Sequence, residues 1–173
     1  MSPFYSFLAV FSIIAFITLG SADDVIVKTK VLNDKEYYVG TSSMVNFYRA
    51  AQICAAYNMN LASVESDQEF QSLRTYLFNN SILLGYQYWL SGTNLPAASE
   101  YVWLSSGSRI TNSKWAITPG STANQCVRTN DNFMWVARPC TDLHYFICSR
   151  PLVPTCGAFG GCHYTRNPNA EIN

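Results

Sequence analysis

The stretch Asn124–Cys148, NQCVRTNDNFMWVARPCTDLHYFIC, decides how this chain is read. It holds three short segments rich in aromatic and β-branched residues, Asn124 to Arg128, Asn132 to Val136 and Tyr145 to Cys148, which predict strands separated by turn-forming residues. It also carries Cys126, Cys140 and Cys148, half of the six cysteines. Strands this short need fastening, and closely spaced cysteines supply it if the compartment is oxidising.

Working outward, Tyr88-Trp89-Leu90 and Glu100 to Leu104 predict further strands, and Ser105 to Ala123 a long structured loop of Ser, Thr, Gly and Pro. Before them the period changes. Between Met44 and Tyr57, residues Phe47, Ala50, Ala51, Cys54 and Tyr57 recur at helical steps and predict one buried face. A second helix begins at Ser66, whose side chain caps the free amides while Glu69 reciprocates in a capping box; Phe70, Leu73, Tyr76 and Leu77 form its buried stripe. Helices followed by several strands predict an α+β domain. Asn79-Asn80-Ser81 is an N-glycosylation acceptor at Asn79.

The ends read differently. Phe7 to Leu19 is an uncharged apolar run too short to span a bilayer, followed by Gly20-Ser21-Ala22, small residues of the kind that precede a cleavage site. Residues 1–22 are therefore expected to be a signal peptide and the mature chain to be secreted, with no membrane span after cleavage. Residues 23–35 read as an N-terminal extension with a strand, 36–150 as the domain, and 151–173 as a tail. In a secreted chain six cysteines mean three disulfides, with 15 connectivities open on sequence alone. Cys156 and Cys162 enclose Gly-Ala-Phe-Gly-Gly, which bends back easily, so they are expected to pair; the other four fasten the domain.

Charge narrows the function. Eleven basic residues balance eleven acidic ones, leaving no excess cation to displace counterions from a nucleic acid. No Cys-x-x-Cys or histidine spacing suits zinc. Asp142 and His144 lie close in sequence, but no nucleophile accompanies them and every cysteine is assigned to a bridge, so an enzyme is not expected.

From Glu36 to Arg150 the chain resembles the C-type lectin-like domain, and within it the short secreted lectins of arthropods. The resemblance rests on ordered features: the helix bearing Cys54, Asn60-Leu61-Ala62-Ser63-Val64, Tyr88 to Thr93, Tyr101-Val102-Trp103, Lys114-Trp115, Gln125-Cys126-Val127, Trp135 five before Cys140, and Tyr145-Phe146-Ile147-Cys148. It implies disulfides Cys54–Cys148 and Cys126–Cys140, and it places Trp89, Trp103, Trp115 and Trp135 in the core or at its edge. It also implies sugar binding, which in the family commonly runs through calcium held by a Glu-Pro-Asn or Gln-Pro-Asp triplet, a glutamate and a Trp-Asn-Asp strand.

Position by position, those ligands are missing. Thr118-Pro119-Gly120 stands for the triplet, Asn124 for the glutamate, and Trp135-Val136-Ala137 for the strand. Trp103 to Asn130 contains no Asp or Glu, whereas calcium wants six to eight oxygens, several of them anionic. No metal or other cofactor is expected. The expectation is a secreted recognition protein binding an extracellular glycan or glycoprotein without calcium, with Thr118, Gly120, Asn124, Arg109 and Lys114 as ligand-binding candidates. Arg109, Lys114 and Arg128 are also candidates for an acidic-glycan patch. The alternative is a protein-interaction module, facing a protein receptor, that has lost sugar binding.

Overall fold

The computed structural model describes residues 29–80, 85–111, 114–156 and 162–165, with side chains as far as Val153. The expected signal segment, Ser81 of the acceptor triplet and the Cys156–Cys162 side-chain link lie outside the described residues.

Two helices stand where the periodicity puts them, with shifted edges. α1 runs Phe47–Ala56 and buries Phe47, Ala50 and Cys54; Asn46 caps it, its Oδ1 accepting from the Arg49 amide at 2.9 Å. The expected stretch started three residues early, because Met44 and Val45 finish strand β2 (Lys35–Val45) and Val45 pairs with His144. Tyr57 sits past the last turn and is exposed rather than buried. α2 runs Asp67–Asn79 and buries Phe70, Leu73 and Leu77. Ser66 Oγ accepts from the Glu69 amide at 3.1 Å, while Glu69 Oε2 reaches back to the Glu65 amide at 2.7 Å, one residue before the cap.

The remaining strands are β1 (Thr29–Leu32), β3 (Asn60–Leu61), β4 (Tyr88–Ala97), β5 (Glu100–Trp103), β6 (Gln125–Thr129), β7 (Trp135–Pro139), β8 (His144–Pro151), β9 (Val153–Cys156) and β10 (Cys162–Thr165). The main sheet has the order β1-β2-β8-β4-β6-β7, with β3 added to β8 and β5 to β4. Only β4 and β8 pair in parallel. β7 begins later than the segment Asn132 to Val136 suggests. Asn130 Oδ1 accepts from the Asn132 and Met134 amides and bends the chain, and Phe133 takes φ 65°, so extension resumes only at Trp135. β9 and β10 form a separate hairpin that sets Cys156 directly opposite Cys162.

Position 40 has to be glycine for packing: a Cβ there would run into the Phe146 ring across the β2–β8 pair. Around that contact Phe47, Cys54, Leu61, Trp89 and Phe146 make one core cluster, and Trp89 Nε1 donates to Val45 O at 3.0 Å. The other cluster joins Phe70 and Leu73 of α2 to Trp103, Val127, Trp135 and Ile147. Disulfides Cys54–Cys148 and Cys126–Cys140 span Cα separations of 5.4 and 5.0 Å. The first closes 94 residues and the second 14, so on the chain-entropy model they remove roughly 4.7 and 3 kcal/mol of denatured-state freedom. β1 is tied down by buried Glu36, which meets Arg150 at 2.7 Å and accepts from Thr29 Oγ1. Among the described residues no helix is long and apolar enough to cross a membrane.

Candidate functional site

The long loop leaves β5 and returns to β6, and three sets of bonds shape it. Its first limb runs back along β5: Trp103 N donates to Ser108 O and Ile110 N to Tyr101 O, both at 2.8 Å, with Arg109 bridged to Val102. Its middle is fastened to β7, where Trp135 N donates to Lys114 O and Ala116 N to Trp135 O. The last limb hangs on Asn94, which is buried in β4. Its Nδ2 donates to Ala98 O and Thr122 O at 2.9 and 2.6 Å, and its Oδ1 accepts from the Gln125 amide at 2.8 Å. Nothing in the sequence reading singled out Asn94; the family-like segment Tyr88 to Thr93 stops one residue short of it.

Between these limbs lies an open cleft of about 510 Å³. Its wall is aromatic: Trp115 packs edge-on against Tyr101 at 5.1 Å and against Trp135 at 5.9 Å. Its rim is polar, with Glu100 and Arg109 paired at 2.8 Å and Thr118, Gly120 and Ser121 opposite. Tyr101 is 8% exposed, and its Oη is buried without a hydrogen-bond partner among the described residues. Burial pushes the Tyr101 phenol above its ordinary pKa, so it stays a neutral donor. The cleft thus offers the half-buried Trp115 ring and a carboxylate beside a guanidinium.

The Lectin C-type domain family model matches residues 42–150. The chain belongs to the C-type lectin family. Among curated relatives it is similar to C-type lectin mosGCTL-7 of Culex quinquefasciatus, 25% identical over 118 residues covering 61% of this chain and 68% of the relative. It is also similar to C-type lectin mosGCTL-7 of Aedes aegypti, 29% identical over 115 residues, covering 62% and 73%. Two solved structures share the fold. The mouse scavenger receptor C-type lectin carbohydrate-recognition domain has TM-score 0.61 and 24% identity over 71% of this chain and 93% of that one. A calcium-independent type II antifreeze protein has TM-score 0.62 and 18% identity over 72% and 92%. At these identities the two show the fold alone.

The lectin loop brings some of the candidate residues together and separates others. Arg109, Thr118 and Gly120 line the cleft. Lys114 does not: its Nζ meets Asp67 of α2 at 2.9 Å and lies over the Phe70 ring. Asn124 is exposed at φ 59°, a left-handed turn position at the mouth of β6, outside the cleft lining. Arg128 also lies elsewhere, at the register position of Trp89, with Nη1 donating to Thr129 O at 2.8 Å. Burial, then neighbouring Arg138, pulls its pKa down. Arg109, Lys114 and Arg128 therefore make no common cationic patch. Asp142 turns to Arg138 at 3.1 Å, and His144 packs on Trp89 instead.

Calcium does not fit the family's positions in this chain. Thr118-Pro119-Gly120, joined by trans peptides, offers one hydroxyl, and Gly120 faces open space. Val136 and Ala137 of β7 carry no side-chain oxygen, and the nearby Glu100 carboxylate is already engaged by Arg109. Among the described residues no three His, Cys, Asp or Glu side chains group to hold a metal. A hard dication needs several anionic oxygens at one point.

Proposed function

We propose that this chain is a secreted recognition protein, without catalytic activity, that binds an extracellular glycan or glycoprotein in the long-loop cleft without calcium. The observation that carries it is the open cleft walled by Trp115 and Tyr101 and lined by the Glu100–Arg109 pair. Sugars present an apolar C–H face and a ring of oxygens, which suits an aromatic platform flanked by polar side chains. Membership of a lectin family supports the ligand class. The missing carboxylates at Thr118-Pro119-Gly120, Asn124 and Val136-Ala137 argue for a mechanism without metal. The signal-like residues 1–22 and the acceptor Asn79, exposed at the end of α2, argue for secretion and for an attached glycan.

A second reading, contact with a protein receptor, is favoured by Ile117. It is 76% exposed at the loop's outer turn, beside the cleft, where an apolar side chain gains most by being covered. A glycan array probed with calcium and again with a chelator separates the two. Binding indifferent to chelator, and weakened about tenfold by Trp115→Ala with folding checked by thermal melt, is the expected result. Chelator-sensitive binding overturns the metal-free mechanism, and an array empty under both conditions points to the protein receptor.

A further inference from the structure

We infer that the Glu100–Arg109 pair is a charge filter that closes the long-loop cleft to acidic glycans and leaves it open to uncharged ones. The inference rests on reading the cleft as the glycan site and narrows what that site accepts. The pair is placed by backbone register. Arg109 lies opposite Val102 in an antiparallel bridge, held on both sides by the Trp103–Ser108 and Ile110–Tyr101 hydrogen bonds. Residues two apart on a strand share a face, so Glu100 becomes the diagonal neighbour of Arg109, and Nη2 meets Oε1 at 2.8 Å. Both side chains line the cleft.

Arg109 is the one cation among the cleft-lining residues, and it is already neutralised. A sulfate or carboxylate that reaches the remaining Arg109 N–H groups must sit beside the Glu100 carboxylate or displace it, and like charges oppose both arrangements. Lys114, the next cation along the loop, is held by Asp67 and gives no help. An uncharged ligand meets no such barrier. Hydroxyls donate to the Glu100 oxygens, and the Arg109 N–H groups donate to hydroxyl oxygens, with the pair intact. Since Arg109 and Glu100 are 69% and 42% exposed, removing either leaves the fold standing, which makes the pair open to mutation.

Immobilised heparin, a sulfated polysaccharide, and immobilised yeast mannan, a neutral one, test this with the wild type, Glu100→Gln, Arg109→Gln and the double variant, at low and high salt. Thermal melts confirm folding. Glu100→Gln is expected to bind heparin about fivefold to tenfold more tightly than the wild type at low salt, the gain vanishing in the double variant and at high salt. No gain, or a gain that survives loss of Arg109, overturns the filter; so does wild-type heparin binding that Arg109→Gln abolishes. If the expected gain appears while the wild type binds no mannan, the exclusion of anions stands, and the admission of uncharged glycans fails together with the glycan reading of the cleft.

Discussion

Around Cys148 the chain is held by a disulfide closing 94 residues, by β2 paired along β8, and by the edge-to-face pairs Phe47–Trp89 and Tyr38–Phe146. The loop after Trp103 rests on the core only through Ile110 and the half-buried Trp115, and is otherwise held by one buried amide, a short backbone ladder and two partly exposed ion pairs. The first region carries its stability in apolar area and covalent closure, which do not depend on a ligand. The second carries it in individually small polar bonds that a ligand can exchange. The contrast teaches that the cleft can be changed at Glu100, Arg109 or Thr118 with little cost to the fold, whereas the buried residues around Cys148 cannot.

The sharpest way to break that comparison is to remove the long-range bridge. A Cys54→Ala/Cys148→Ala variant is expected to lose up to ~4.7 kcal/mol of stability in denaturant titration, while hydrogen exchange of loop amides well below the melting point stays as in the wild type. Loop exchange that rises in step with the lost stability would show the two regions to be one cooperative unit. Next comes Asn94→Ala, which strands the Gln125 amide and the carbonyls of Ala98 and Thr122. A cost of about 1–3 kcal/mol is expected, with exchange at Gln125 accelerating and that at Ile147 unchanged relative to global unfolding. The smallest effect belongs to His144, in the body. Burial and the nearby Arg128 charge lower its pKa from 6.5 to about 4. The unfolded chain therefore takes up a proton near pH 6.5 that the folded one refuses until near pH 4. Its contribution is whole above pH 6.5 and is lost as pH falls through that window, on the order of 1 kcal/mol after solvent screening. His144→Gln is expected to flatten the stability slope between those two values, measured by chemical denaturation.

What was legible in the sequence was what depends on near neighbours. Ser66 and Glu69 announce the start of α2 because a cap is read within four residues, and Phe47, Ala50 and Cys54 mark a helix face for the same reason. The strand through Trp135 was recognisable but misplaced at its start, since its aromatic content says nothing of the Asn130 side chain bending the chain first. Lys114 and Arg109 looked alike as loop cations. Their different fates follow from Asp67 and Glu100, and the first of these lies on another element. Asn94 carried no signal at all, because an amide becomes a strut only when carbonyls from distant turns arrive beside it.

By itself, then, the sequence determined the α+β lectin domain and the loss of anionic oxygens from its loop. Both follow from ordered residue types, which are independent of how the chain closes. Only the tertiary structure decided which charges meet, which phenol is left without a partner, and that Arg109, Thr118 and Gly120 share a cleft that Lys114 and Asn124 do not. Those outcomes hang on strand register and loop closure, and both are set by contacts between residues far apart in the chain.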